Sequence, residues 1–415
     1  MRYARLFPAA LLAVLLCGAN TLARAAETPE LILPRHRLHP GELAIVVNDA
    51  DPLSVQIGDY YQRARAIPAR NLLHVRFKPG RSRMSQSEFR ELYATLQRET
   101  PEGIQAYAIT WAAPYRVGCM SITAAISFGF DKAYCSPRRC ASTRPNPYFA
   151  RASTAPWDDY GVRPSMALAA TGFDQAKALI DRGIQSDATQ PAGTAYLVST
   201  ADKARNVRAV YYPGIAQRMV SWIDTEIVTG DGLRDATDVL FYFTGKVHVP
   251  HLDTLQFVPG AIADHLTSAG GRLTDSRQMS ALRWLEAGAT GSYGTVVEPC
   301  NVPGKFPHPG LLMEAYGAGR TLLEAYWQSV QQPGEGIFIG DPLAAPYDGY
   351  RLEREGDRLL LTTRVLHPGT YRLSHATDPV GPFRTVPAVL EVDYHQQRFV
   401  LPDIEGANYL RLERR

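Results

Sequence analysis

The chain has 415 residues, 45% hydrophobic and 20% charged, enough to bury a substantial core in two or three domains. Three of its 44 basic residues and none of its 41 acidic ones fall within residues 1–25, so the remainder carries 41 of each. A formally neutral chain offers no electrostatic case for nucleic acid, and no such partner is expected.

Arg2 and Arg5 precede the apolar run "LFPAALLAVLLCGA", and Ala23-Arg24-Ala25 supplies a small-residue cleavage site. The pattern predicts a signal peptide over residues 1–25, cut between Ala25 and Ala26. Cys17 does not make a lipoprotein site, because Leu16 is too large for the residue before a modified cysteine. The apolar run is too short to span a bilayer, so no transmembrane segment is expected after its removal. The protein is expected in the periplasm or outside the cell.

Residues 26–40 read as a linker. "LAIVV" is a buried strand, after which Asp51 caps a helix with Pro52 at its first position. Leu53, Ile57, Tyr60, Tyr61 and Ala64 share one helical face, and the helix stops near Ile67, before Pro68. "NLLHVRF" is the next strand. Ser85-x-x-Glu88 is a capping box, and "QAYAIT" is a third strand. Residues 112–165 break this rhythm and read as a long insertion with three cysteines. A helix near Asp174–Arg182 ended by Gly183, the strand "TAYLVS", a helix carrying Met219 and Trp222, and the strand "VLFYFT" follow. A helix at Arg277–Ala287, a strand at Ser292–Val297, a helix at Thr321–Gln331 and "GIFIGDP" complete the series. Beyond Tyr350, alternating strands replace helical spacing.

The expected fold is α/β: a largely parallel sheet covered by helices, followed by a small antiparallel β-sandwich. The expected units are a first α/β subdomain at 41–200, a second at 201–346 and the sandwich at 347–415.

In a parallel sheet, ligands bind at the carboxyl ends of the strands. Asn48, Asp51, Arg116, Asp202, Arg205 and Glu298 fall after strands and are the candidate binding residues, with helix capping the competing role for Asp51. His248-x-x-His251-x-Asp253 has the residue types of a zinc site, but Pro250 opposes a helix presenting both rings, and no metal is expected. No cofactor is expected.

Four cysteines remain in the mature chain, an even count that suggests disulfides in an exported protein. Cys135 and Cys140 flank the short polar stretch "SPRR" and are predicted to pair. That leaves Cys119 and Cys300, both after core strands, to meet across the cleft. Cys300 is thus expected to be structural. The competing reading makes it a nucleophile with His248 or His251 as its base.

"VVNDADPLSVQIGDYYQRARAIPARNL", "GCMSIT", "ATGFDQAKALIDRG", "ADKARNVRA", "FVPGAIADHL" and "GATGSYGTVVEP" resemble an uncharacterised exported bacterial family. That family accompanies exosortase protein-sorting systems, often linked to exopolysaccharide. More distantly, the chain is similar to gingipain-type cysteine peptidases of the caspase-like clan. The shared plan is an α/β region ending in Gly340-Asp341-Pro342, followed by an immunoglobulin-like domain. Gingipains carry a histidine in the turn after a strand like "VLFYFT"; here the turn is Thr244-Gly245-Lys246. Their cysteine follows the next core strand, near Thr267 or Ser268 here. The resemblance implies a diverged cysteine hydrolase or a pseudoenzyme; the alternative is a non-catalytic envelope protein binding a peptide or a glycan.

Overall fold

A computed structural model describes residues 28–415 apart from 139 and 395; the predicted signal peptide, Cys17 included, lies outside the described residues. Ten strands form one sheet: β1 Leu43–Asn48, β2 Leu72–Val75, β3 Ala106–Ile109, β4 Ser165–Ala167, β5 Thr194–Ser199, β6 Asp224–Thr229, β7 Val239–Thr244, β8 Phe257–His265, β9 Gly291–Thr295 and β10 Gly336–Gly340. Their order across the sheet is β6-β5-β7-β8-β9-β10-β4-β3-β1-β2. Every neighbouring pair is parallel except β9 and β10, where Gly291 faces Gly340 and Thr295 faces Gly336. The sheet therefore has two halves running in opposite directions, joined at that seam. Strands β1, β3 and β7 are buried on both faces, as their unbroken apolar runs require.

Helices α1 Pro52–Ala64 and α2 Gln86–Glu99 form where local signals place them. Asp51 accepts from the Leu53 amide, and Ser85 and Glu88 close the reciprocal capping box. Helix α3, Ile122–Phe128, is capped by Ser121. Helix α4, Phe173–Ser186, runs through Gly183 instead of stopping there. The glycine is a packing residue, because a Cβ on it would collide with the buried Asp341 carboxylate. Asp341 accepts from Tyr61 Oη at 2.6 Å and pairs with Arg65, which also holds Asp187. The turn after β10 is thereby tied to α1. Helix α5 is Tyr212–Met219 and α6 is Leu282–Ala287, both shorter than their apolar spacing suggests. Two further helices, α7 Pro309–Gly317 and α8 Leu322–Ser329, cover the seam.

Strands β11 Tyr350–Glu355, β12 Arg358–Thr363, β13 Gly369–Ala376, β14 Arg384–Val392, β15 Arg398–Pro402 and β16 Tyr409–Arg414 build two small sheets on one apolar core. Residues 28–40, within the expected linker at 26–40, are not a plain linker. Glu30–Ile32 pairs in parallel with β16, and His36 and Arg37 both bind Asp348, at 2.5 and 2.7 Å. The sandwich thus includes a strand from the other end of the chain. The expected division at residue 200 also shifts, since β5 belongs by pairing to the second half of the large sheet. No helix among the described residues is long and apolar enough to cross a membrane.

Candidate functional site

The reversal at the seam decides which loops can meet. Asn48 and Asp51 follow β1, so they lie at the edge opposite the carboxyl ends of β5, β7, β8 and β9. Both have local structural roles there. Asn48 is buried, donates to the Phe77 carbonyl and accepts from the Ala50 and Phe77 amides, while Asp51 caps α1. The expectation that all strand-end loops converge on one edge is corrected by this geometry.

The second-half residues do assemble. Arg205 Nη1 lies 2.9 Å from Asp202 Oδ2, and its Nε donates to Thr267 Oγ1 at 3.2 Å. Thr267 passes its own proton to Gln278 Oε1 at 2.8 Å, and the same oxygen accepts from the Ala269 amide. The loop after β8 folds back so tightly that Gly271 and Gly294 meet backbone to backbone, with no room for a Cβ on either. Its side chains Ser268, Arg272, Asp275, Arg277 and Gln278, with Glu298 from the loop after β9, enclose about 390 Å³. Tyr115, from the insertion after β3, donates to Asp275. Beside it Arg116 is buried with its Nε unsatisfied, and Asp275 is the carboxylate that attracts it. Burial first, then the charges of Arg83 and Arg272, lower its pKa from the ordinary arginine value. Glu298 thus lines the pocket, Asp202 and Arg205 reach it through Thr267 and Gln278, and Arg116 sits beside Tyr115 at its margin. Arg272, Arg277 and Gln278 escaped sequence reasoning because β8, broken by Pro259 and Gly260, did not read as a strand.

The cysteine pairing is also corrected. Cys119 is bonded to Cys135 and Cys140 to Cys300, with Cα atoms 5.8 and 5.2 Å apart. Cys300 is half of a disulfide, as expected, but its partner is Cys140 rather than Cys119. With its sulfur bonded it has no thiolate to offer in this structure. The two bonds run from the insertion to itself and to the turn after β9. Between them, Lys305 Nζ sits 2.8 Å from Glu335 Oε2 and 2.6 Å from Ser136 Oγ, with Lys305 and Glu335 buried. A serine beside a lysine has the makings of a nucleophile and base. Here the ammonium is ion-paired with Glu335 and Ser136 also bonds Glu335 at 2.8 Å, so the trio is a clamp.

Among the described residues, neither His248 nor His251 is placed beside a free thiol. His248 is exposed, and His251 Nε2 lies 2.8 Å from Arg234 Nη2. His265, at the end of β8, is buried, with Nε2 on the Met279 carbonyl and Nδ1 accepting from Trp284. Burial pushes it down to about 3. Among the described residues no three His, Cys, Asp or Glu side chains gather as a metal ion requires.

No family model and no curated protein matches the chain. A solved structure described as "Structure of Protease" superposes with a TM-score of 0.43 and 10% identity, covering 90% of this chain and 96% of that one. Similarity at that level carries no argument about activity.

Proposed function

We propose that this is an exported protein of gingipain-like plan that has lost, or never had, the cysteine hydrolase chemistry, and that it serves as a non-catalytic binding protein for a peptide or glycan of the cell envelope. One observation carries the reading. Cys300, the strand-end cysteine beside the pocket, is bonded to Cys140. The neighbouring facts agree. Thr267 stands where the resemblance puts a nucleophile, and its buried hydroxyl is occupied by Arg205 and Gln278. Lys246, where the resemblance puts a histidine, is paired with Asp231 at 2.5 Å. What remains at the strand ends is a polar recognition surface of Arg272, Arg277, Glu298 and Gln278. Export fits the basic start of the chain and its two disulfides.

The test is alkylation of the unreduced, purified protein together with a hydrolysis assay on peptide and ester substrates. No cysteine should label, and Cys300→Ser should leave any residual turnover unchanged. Stoichiometric labelling of Cys300, with a turnover that Cys300→Ser abolishes, would return the protein to the cysteine hydrolases.

A further inference from the structure

A second cleft, which shares no lining residue with the strand-end pocket, lies between the α/β body and the sandwich. It encloses about 520 Å³, a volume typical of ligand sites. Arg151, Arg218, Arg320, Arg364 and His367 line it, against a single carboxylate, Glu314, which is already taken by Arg218 at 3.0 Å. Arg364 is the distinctive member. Its guanidinium lies 5.3 Å from the Trp222 ring centre and 5.5 Å from that of Tyr347. Stacking of this kind fixes a planar fork without consuming its N–H donors. Among the described residues neither Arg364 nor Arg151 has a hydrogen bond or a carboxylate partner. Desolvation lowers the Arg364 pKa, as for a cation held without its anion.

We propose that this cleft binds a peptide segment carrying a carboxylate, which Arg364 and Arg151 hold while aliphatic neighbours of that carboxylate pack on Leu311, Ala315 and Leu366. Charge complementarity selects an anion, and the walls select a peptide over a sugar. Two aromatic rings line the cleft, Trp222 and Tyr394, and stacking by a sugar would need an open face of one of them. One side of Trp222 carries Arg364, and Gly317 packs so closely that a Cβ there would come 2.8 Å from the ring. Tyr394 stands exposed at the rim, but the aliphatic wall of Leu311, Ala315 and Leu366 offers a sugar's hydroxyls no partner and suits aliphatic side chains. A fork–fork contact with a carboxylate is bidentate and geometrically selective.

The test is fluorescence anisotropy with the full, oxidised protein and labelled Ala-Val-Glu-Val-Ala amidated at its C-terminus, its equally amidated Gln counterpart and an oligogalacturonate. The Glu peptide should bind at least about tenfold more tightly than the Gln peptide, the loss expected for one charge-assisted pair. Arg364→Gln and the exposed Arg151→Gln should each weaken the Glu peptide by a comparable factor, and added salt should weaken it further. Arg277→Gln, in the strand-end pocket, should leave it unchanged. The proposal is overturned if the Glu and Gln peptides bind alike or not at all, if Arg277→Gln is the variant that abolishes binding, or if the oligogalacturonate binds and the peptides do not. A failure here leaves the thiol experiment on Cys300 untouched, so the two readings fall separately.

Discussion

Cys140 and Cys300 lie 160 positions apart and are bonded, so the insertion after β3 is fastened to the loop after β9 across the seam of the sheet. Closing so long a loop restricts the unfolded chain strongly. Replacing both residues by alanine should lower stability by about 2–4 kcal/mol, read from the urea midpoint at constant m-value. An unchanged midpoint would mean that the remaining contacts of the insertion suffice to hold it.

Lys305 and Glu335 form the second fastening, and both are buried. Removing one partner leaves an uncompensated charge, so Lys305→Met or Glu335→Gln alone should cost about 3–5 kcal/mol. The double variant Lys305→Met with Glu335→Leu should recover most of that loss, because a buried pair gains little over apolar residues of similar size. A double variant as unstable as either single one would show that the hydrogen bonds to Ser136, rather than the charges, carry the clamp.

Gly183 supplies a third test. It sits mid-helix in α4, where glycine is normally unfavourable and alanine should stabilise by roughly 0.5–1 kcal/mol. The Asp341 carboxylate occupies the space a Cβ would need, and it is itself held by Tyr61 and Arg65. Gly183→Ala should therefore destabilise by about 1–3 kcal/mol, the range for overpacking. A stabilising result would show that the Asp341 network shifts freely.

These three sites also mark how far the sequence could be read. Helices α1 and α2 were legible because their signals are local: Asp51 before Pro52, and Ser85 three residues ahead of Glu88. The α/β body and the all-β tail were legible from the change of period near Tyr350. The direction of β10 was not. Alternating strands and helices suggest parallel neighbours, and nothing in "GIFIGDP" says that it returns antiparallel to β9. That one reversal moved Asn48 and Asp51 away from Asp202 and Arg205. Helix α7 was hidden as well, because Pro307 and Pro309 read as a loop, although Pro309 starts the helix and His308 caps it. The cysteine pairing failed for a related reason. "SPRR" suggested a local bond, but Cys135 is held beside Cys119 by the clamp around Ser136.

The last prediction concerns acid. His265 is pushed down to about 3 by burial, and His367 to about 4 by burial together with Arg320, Arg414 and His36. His265 also feels Arg208 and His248. In the unfolded chain both rings take up a proton near about 6.5. Between that value and the folded ones, the unfolded state binds more protons, so stability rises with pH across the window. Above about 6.5 the contribution is complete; it is lost as pH falls toward 4 and then 3. Asp348 extends the loss. Desolvation would raise it, but the His36 hydrogen bond and the Arg37 charge hold it at about 2, so its share disappears only below the ordinary carboxylate range. Unfolding midpoints measured from pH 7.5 to 4.5 should fall steadily, beginning well above the carboxylate range. His367→Gln should flatten part of that slope while keeping a hydrogen-bonding side chain near Arg320. A midpoint constant down to pH 5 in the wild-type chain would show that both rings are charged in the folded state.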